Sequence, residues 1–203
     1  AIGHAAMYYN RTGHSNVALG ARTLTRNTDR SNLVAIGDSA LYHNGQGASL
    51  SQHAINNTAV GSKVLFSNTT GYCNTGTGYH ALYSNSSGTG NTAHGFKTLT
   101  NNTTGRGNTA TGHLSLNSNA EGRDNTASGL YSLSYNTSGQ FNTALGSYSM
   151  YYNTTGNYNT AVGYYAGPAS ASYENLTNTA AFGFNARVTA SNTIRLGNTG
   201  ISQ

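Results

Sequence analysis

The sequence is poor in several residues that ordinary globular and membrane proteins use. It has no Trp, one Pro and one Cys, and only 7% of its 203 residues are charged. A single cysteine, Cys73, excludes an intrachain disulfide, and the absence of an 18-residue apolar run predicts no membrane insertion by this segment. The abundant residues are Gly (26), Asn (27), Thr (28) and Tyr (15). This composition favours turns and backbone hydrogen bonding, so we expect neither a helical bundle, a coiled coil nor a doubly wound α/β enzyme.

Charge is sparse and scattered along the chain. Ten Lys and Arg stand against five Asp and Glu, which gives a formal net charge of +5. Apart from Arg22, Arg26 and Arg30, the basic residues stand singly, whereas nucleic-acid binding needs a clustered basic stripe. We therefore predict no nucleic-acid partner. The chain begins at Ala1 without Met and shows no signal peptide, so we interpret it as a fragment or a processed chain.

The sequence repeats itself with a period of 17 residues. The phrase Asn-Thr-Ala-x-Gly ends on an anchor glycine, and eight of the eleven steps between anchors are 17 residues long. The exceptions are a step of 24 with an insertion at residues 45–56, a step of 20 that contains Pro168, and a last step of 14. The anchors are Gly3, Gly20, Gly37, Gly61, Gly78, Gly95, Gly112, Gly129, Gly146, Gly163, Gly183 and Gly197.

Several columns keep the same register when positions are counted from the anchor. Position +7 is Asn in nine successive repeats, position +4 is a large apolar residue, position −2 is usually Ala and position +10 is usually Gly. In one repeat these are Leu99 (+4), Asn102 (+7) and Gly105 (+10), followed by Ala110 (−2) of the next repeat. We expect the +4 residue to point inward in every repeat.

The repeat length and its turn residues predict a β-solenoid. A unit of 17 residues is too short for a pair of helices but fits two short strands and two turns, which is one rung of a solenoid. In Asn-Thr-Thr-Gly we expect Asn to bond its own backbone and the +10 glycine to supply a positive φ. We predict an all-β fold, a parallel β-solenoid or β-roll of about twelve mostly 17-residue rungs. It forms a single repeat domain over 1–203, with an inserted loop at 45–56 and atypical rungs over 167–203.

The predicted core is thin. Burying one Leu contributes about 2–3 kcal/mol, whereas ordering 17 residues costs roughly 17–34 kcal/mol in backbone entropy. Backbone pairing must offset much of that cost. The apolar face of the strands is then expected to pack against sister chains, which predicts an oligomer.

Some repeats resemble a known family. The segments Asn57–Gly61 and Asn159–Gly163 resemble the head repeats of trimeric autotransporter adhesins, as do Leu33–Gly37 and Ala1–Gly3. The resemblance covers essentially the whole chain. It implies a left-handed parallel β-roll in which three chains pack around a three-fold axis as a parallel homotrimer. The repeat here is longer than the common repeat of that family, which implies longer turns.

The end of the chain carries a second resemblance. The segment Asn192–Thr199 is similar to the sequence that precedes an intramolecular chaperone domain in phage tail fibres and tailspikes. This implies that the chain is the mature shaft or tip of a fibre.

Tyrosines are the main candidates for contacting a ligand. Tyr131, Tyr148 and Tyr165 share position +2, and Tyr135 and Tyr152 share position +6. Stacked rungs would place these rings about 5 Å apart, as an aromatic ladder. Such a ladder either stabilises the solenoid or, where it is exposed, contacts a cell-surface glycan or protein receptor.

Four polar residues interrupt the mostly apolar −1 column, namely Thr77, His94, Thr111 and Ser128. If this column faces a three-fold axis, three copies of each line a wet or ion-binding interior. Alternatively, the column faces solvent there, or local water satisfies it. The seven His residues do not converge in the register, so the sequence predicts no metal centre and no cofactor.

Catalysis has little support in the sequence. Glycoside hydrolysis usually needs two acids across one bond, and Glu121 and Asp124 share a single turn. We predict no enzymatic activity. A polysaccharide-degrading tailspike is a less favoured alternative. So is an ice-binding protein, which Thr at position −3 of seven successive repeats would suggest.

The sequence therefore predicts a structural role. We expect the shaft or head segment of an extracellular trimeric fibre, such as a phage tail fibre or a bacterial surface adhesin, that contributes to attachment. The alternative is receptor or glycan binding by this segment itself, through the Tyr-rich face or the loop near Gly45 to His53. Both interpretations place the chain outside the cell, at a cell surface or on a virion tail fibre.

Overall fold

The structure, a computed structural model, is a parallel β-solenoid of about 11 turns. It describes residues 1–198 and 200. Thr199, which ends the segment similar to phage fibres, and residues 201–203 of the predicted atypical rungs lie outside the described residues. The predicted all-β solenoid is confirmed. The number of about 11 turns agrees with the sequence, because twelve anchor glycines delimit eleven steps. Within the described part, no helix has the length and apolar character to cross a membrane.

Short strands stack in the order of the chain. Eleven of them form one parallel sheet in the order β1 to β9, β11 and β13, while β10 and β12 pair with each other. Each strand pairs in register with the strand one repeat away, so that Ala93 lies beside Ala110. A 3-10 turn at Ala171–Tyr173 separates β10 from β11. The strands are β1 (Val17–Leu19), β2 (Val34–Ile36), β3 (Thr58–Val60), β4 (Thr75–Thr77), β5 (Thr92–His94), β6 (Thr109–Thr111), β7 (Thr126–Ser128), β8 (Thr143–Leu145), β9 (Thr160–Val162), β10 (Gly167–Pro168), β11 (Ala180–Phe182), β12 (Arg187–Val188) and β13 (Ile194–Leu196).

The −2 and +4 columns form the apolar core. The middle residue of most strands is a buried Ala, and its two neighbours point to the opposite face because strand side chains alternate. The predicted inward orientation of the +4 column is confirmed, although Met7 in the first turn is only half-buried. The fully buried +4 side chains are Leu24, Leu41, Leu65, Leu82, Leu99, Leu116, Leu133 and Met150.

The chain bends sharply after each strand, at the anchor glycine. Gly95 has a φ of +134°, and a Cβ on it would lie 2.6 Å from the Gly112 carbonyl oxygen, so only glycine fits. The next residues also take left-handed conformations, with φ of +51° at both Lys97 and Leu99. Each such residue costs roughly 1–2 kcal/mol. The packing between stacked turns must therefore offset this cost in every repeat.

Asn at position +7 is buried and forms a hydrogen-bonded ladder along the solenoid. Asn102 Nδ2 donates to Asn85 Oδ1 at 2.7 Å, and Asn102 Oδ1 accepts from Asn119 Nδ2 at 2.8 Å. Asn102 Nδ2 also donates to the Gly105 carbonyl at 3.1 Å and so closes its own turn, as predicted. The bonding between turns is a feature that the sequence analysis missed. The ladder includes Asn10, Asn27, Asn44, Asn68, Asn85, Asn102, Asn119, Asn136 and Asn153.

A second Asn ladder runs beside the first, at position −4. Asn91 Nδ2 donates to Asn74 Oδ1 at 3.1 Å and to the Gly105 carbonyl at 2.8 Å. The Gly105 carbonyl thus accepts from both ladders, since it also accepts from Asn102. Buried amides that are satisfied in this way specify one register between turns. At its end the backbone N–H of Asn159 donates to Asn142 Oδ1 at 3.0 Å. The ladder of side-chain amides consists of Asn57, Asn74, Asn91, Asn108, Asn125 and Asn142.

The +10 glycines are needed for space and not for a positive φ. The backbone at Gly88 is not in the left-handed region, so the predicted positive φ is wrong for this column. A Cβ on Gly88 would collide with the Gly105 carbonyl oxygen and with Asn85 Oδ1. Glycine is required because two stacked turns and an Asn ladder meet at this position.

A buried arginine fastens the inserted loop. Asn44 lies beside Asn68 in the +7 ladder, and the extra residues of the long repeat leave the solenoid between Asn44 and Asn57. Arg30 Nη2 donates to the Ala48 carbonyl at 2.7 Å, and Arg30 Nη1 donates to the Leu50 carbonyl at 2.9 Å. The planar guanidinium suits two acceptors at once, and it holds the loop against the body of the solenoid.

A second arginine fastens the atypical rungs near the C-terminal end. Arg187 replaces the usual +4 apolar residue. Its Nη1 donates to the Tyr165 carbonyl at 2.7 Å and its Nη2 donates to the Ala169 carbonyl at 2.5 Å. The two long steps, of 24 and of 20 residues, are thus each held by a guanidinium that bridges two carbonyls.

Candidate functional site

The +2 tyrosines form the ladder that the repeat register predicts. The ring centroids of Tyr131 and Tyr148 lie 5.3 Å apart, as do those of Tyr148 and Tyr165, and both pairs are stacked. All three side chains are half-buried. Because stacking covers the ring faces, the surface of this ladder presents ring edges and hydroxyl groups more than open faces.

The +6 tyrosines meet through a third ring. Tyr151, at position +5, lies 4.9 Å from Tyr135 and 5.2 Å from Tyr152, with interplanar angles of 74° and 75°. Its hydroxyl is 3.4 Å from the Tyr135 hydroxyl. Edge-to-face contacts of this kind are favourable, and they hold the three rings at steep angles to one another. The structure thus brings Tyr135 and Tyr152 together, but not as a simple stack.

A cavity of about 430 Å³ lies beside these rings. Its volume falls in the range of about 300–1,000 Å³ that is typical of ligand sites. The lining includes Glu174, which follows the 3-10 turn of the atypical rungs. Aromatic walls with hydroxyls, an exposed carboxylate and a threonine can contact both the apolar and the hydroxyl surfaces of a sugar. The lining residues are Tyr135, Tyr151, Tyr152, Thr154, Ala171 and Glu174.

The phenol of Tyr151 in this cavity stays protonated at neutral pH. Hydrogen bonding to Tyr135 raises the pKa of Tyr151, and burial and the neighbouring phenols raise this pKa further. A neutral phenol both donates and accepts hydrogen bonds. Because the Tyr151 hydroxyl donates to the Tyr135 hydroxyl, the cavity offers Tyr151 and Glu174 as acceptors and Tyr135 as a donor.

Arg187 supports this cluster from the core side. Its guanidinium lies over the ring of Tyr165 at 4.8 Å and near the ring of Tyr152 at 5.6 Å, which are cation–π distances. Burial lowers the pKa of Arg187. The sequence analysis missed Arg187, Tyr151 and Glu174. A charged residue in the otherwise apolar +4 column was the signal that could have identified Arg187.

Aromatic rings continue along the surface toward the inserted loop. Neighbouring centroids are 4.0–5.8 Å apart, and the row changes column from +5 through +2 and +1 back to +2. Because of these changes, no single column of the repeat revealed it. The row consists of Tyr42, Phe66, Tyr83, His80, Tyr79, Phe96, His113 and Tyr131.

The polar residues of the −1 column lie on the outward side of the sheet. His94, Thr111 and Ser128 are exposed and Thr77 is half-buried. Among the described residues, no group of three or more His, Cys, Asp and Glu is placed to hold a metal ion. The convergence of this column on a three-fold axis depends on sister chains and stays a prediction.

The two acids weighed for catalysis, Glu121 and Asp124, are both exposed in a surface turn. These positions do not test the prediction of no enzymatic activity, which stays a prediction. Comparison with profiles of known protein families, with curated proteins and with solved structures finds no match to this chain.

Proposed function

We propose that this chain is a shaft or head segment of an extracellular trimeric fibre and that it contributes to attachment at a cell surface or on a virion tail. The proposal starts from the stacking of turns. One sheet of eleven strands runs along the solenoid with every strand parallel and in register. A repeated, self-similar rod of this kind suits a spacer.

The observation that carries the proposal is an apolar stripe on the outward side of the sheet. Leu19, Leu145, Val162, Phe182 and Leu196 all occupy the −1 column, and between 37% and 57% of each side chain is exposed. Contiguous exposed apolar surface typically marks an interaction site. Sister chains that present the same stripe would cover it, and the resemblance to trimeric adhesin heads suggests three of them.

The centre of the same column is polar and fits this arrangement. Thr77, His94, Thr111 and Ser128 separate the apolar ends. In the proposed trimer, the apolar ends hold the chains together and water satisfies the polar centre. A column that was apolar throughout would bury more surface, but it would also tolerate a shift between chains by one turn.

Static light scattering tests the assembly. We expect the wild-type chain to have three times the mass of one chain, and the double variant Leu19→Asp, Leu145→Asp to have the mass of one. Both changed side chains are exposed in the single chain, so far-UV circular dichroism should not change. Thr104→Asp, an exposed substitution on a turn, is the control that should leave the trimer intact. A wild-type monomer at every concentration would contradict the proposal.

A second candidate function is recognition of a glycan or protein receptor by the Tyr-rich face. The cavity formed by Tyr135, Tyr151, Tyr152 and Glu174 supports it. On an array of neutral oligosaccharides, we expect Tyr151→Ala and Glu174→Gln to remove any binding that the wild type shows. Tyr158→Ala, which changes an exposed ring outside this cavity, should keep that binding. A segment that acts only as a spacer should bind no member of the array.

A further inference from the structure

A second cavity lies toward the N-terminal end. It is on the same face as the cavity lined by Tyr135, Tyr151 and Tyr152, which we call the Tyr135 cavity. Its volume is about 550 Å³. Tyr8, Tyr9 and Arg11 occupy positions +5, +6 and +8, and Tyr151, Tyr152 and Thr154 occupy the same positions in the other cavity. The lining residues are Ala5, Tyr8, Tyr9, Arg11, Thr25, Arg26, Thr28, Tyr42 and Gln46.

The inserted loop supplies one wall of this cavity. Gln46 belongs to the loop that Arg30 fastens through two carbonyls. Gln46 Oε1 accepts from Arg26 Nη1 at 3.3 Å and lies 2.9 Å from His43 Nδ1. These contacts orient the Gln46 side chain beside Arg26, so the loop is part of a formed site.

Tyrosines supply the other walls. The rings of Tyr8 and Tyr9 meet edge-to-face with centroids 4.9 Å apart, and 69% and 53% of these side chains are exposed. On the opposite side, the Arg26 guanidinium lies over the ring of Tyr42 at 5.6 Å. Unlike the stacked ladder of Tyr131 and Tyr148, this pair leaves ring surface open to a ligand. Tyrosine combines apolar ring surface with a polar hydroxyl.

The charge of this cavity differs from that of the Tyr135 cavity. The lining includes two arginines, Arg11 and Arg26, and no carboxylate. Asp29 is the acid nearest in sequence, and its Oδ1 is engaged by Arg30 Nε at 3.2 Å and by the Thr28 hydroxyl at 3.1 Å. The cavity therefore carries two positive charges with no acidic group in its lining.

We propose that this cavity binds a carboxylated sugar, such as a uronic or sialic acid unit of a surface polysaccharide. The guanidinium groups of Arg11 and Arg26 would take the carboxylate, because their planar donors match its two oxygens. The open faces of Tyr8 and Tyr9 contact the ring of the sugar, and Gln46 bonds to its hydroxyls. An inorganic anion would leave the tyrosines unused, and a neutral sugar would leave the arginines unused. One chain lines the whole cavity, so the site does not depend on the proposed trimer.

Isothermal titration of the full chain tests this site with two acidic probes, trigalacturonate and sialyllactose. Each has a matched neutral probe, namely the methyl ester of trigalacturonate and lactose. We expect at least one acidic probe to bind at least about ten-fold more tightly than its neutral partner, because hydrogen bonds between charged partners are the strong ones. Affinity should fall as salt is raised.

Variants locate the binding. Arg26→Gln and Arg11→Gln should each weaken binding of the acidic probe about ten-fold or more, and Tyr9→Ala should weaken it as well. Arg106→Gln removes the same charge from an exposed position outside the lining and should have no effect. The proposal is overturned if neither acidic probe binds or if a neutral probe binds equally well. It is also overturned if Arg106→Gln weakens binding as much as Arg26→Gln does, or if sodium sulfate at equal concentration displaces the probe completely.

Discussion

Replacing Asn102 by Ala tests whether the +7 ladder stabilises the fold. The change removes hydrogen bonds to Asn85 Oδ1 and to the Gly105 carbonyl, and one from Asn119 Nδ2. The Gly105 carbonyl keeps its bond from Asn91. Asn85 Oδ1 and one N–H of Asn119 lose their partners inside the core. Each unpaired buried group costs about 1–3 kcal/mol, so the free energy of unfolding should fall by about 2–6 kcal/mol.

Urea unfolding followed by far-UV circular dichroism measures this change. Thr104→Ala, at an exposed position in the same turn, is the matched control and should change the free energy by less than about 0.5 kcal/mol. Both the midpoint and the slope of the transition matter, because long repeat arrays can unfold in more than one step. Equal effects of Asn102→Ala and Thr104→Ala would refute a stabilising role for the ladder.

A double variant separates the ladder from simple loss of volume. Asn85→Ala and Asn102→Ala each leave two unpaired amide groups, but together they also leave only two, on Asn68 and Asn119. The double variant should therefore cost clearly less than the sum of the single variants. Strict additivity would mean that the two amides do not act through their mutual hydrogen bond.

Three further predictions follow from the same geometry. Leu99→Asp should abolish folding and assembly, since deleting a buried Leu alone costs about 2–5 kcal/mol. Lys97→Ala should leave the mass measured by light scattering unchanged. Equal effects of the two changes would refute the inward orientation of position +4. Gly88→Ala should destabilise by about 1–3 kcal/mol or more in thermal unfolding, because its Cβ collides with the adjacent turn; an unchanged melting temperature would contradict this packing. Burial and, to a lesser extent, Lys63 and Lys97 lower the pKa of His80 below its usual 6.5. The His80 imidazole therefore takes up a proton at a higher pH in the unfolded chain than in the folded chain. The free energy of unfolding should fall as pH falls below 6.5. His80→Gln should reduce this loss of stability in melting curves between pH 7.5 and pH 5. His14→Gln, at an exposed position, is the control. An equal effect of the two changes would rule out this assignment.

The strands could be predicted from the sequence because their spacing is a matter of geometry. An anchor glycine must recur once per turn, since the backbone of the next turn leaves no room for a Cβ, as at Gly95. The apolar +4 column then identifies the inward side of each turn. Sequence periodicity therefore predicted both the register of the sheet and the buried side chains such as Leu99.

The Asn ladders could not be predicted in the same way. A polar residue in a turn is usually exposed, and periodicity alone does not distinguish an amide that closes its own turn from one that also bonds to the next turn. Asn102 does both. The same ambiguity affected Gly88, where the sequence indicated a glycine but not whether conformation or space required it.

The candidate sites were less predictable than the fold. The ladder of Tyr131, Tyr148 and Tyr165 lies in one column and was foreseen. The Tyr151 and Glu174 cavity joins residues from a regular turn and from the irregular rungs. The cavity around Arg26 joins a regular turn to the inserted loop. Both cavities arise where the repeat is interrupted, so a method that depends on regular spacing does not reveal them.

The amide ladders also give the rod a chemical sense of direction. At every step of the +7 ladder, the Nδ2 group of the later turn donates to the Oδ1 atom of the earlier one, as from Asn27 to Asn10 and from Asn153 to Asn136. Aligned amides polarise one another along such a chain. The Nδ2 donors of this ladder thus all point toward the N-terminal end of the solenoid, and the Oδ1 acceptors all point toward the C-terminal end. At its far end the +7 ladder closes on the second ladder, because Asn153 Oδ1 accepts from Asn159 Nδ2 at 3.4 Å, so the direction is fixed within each chain.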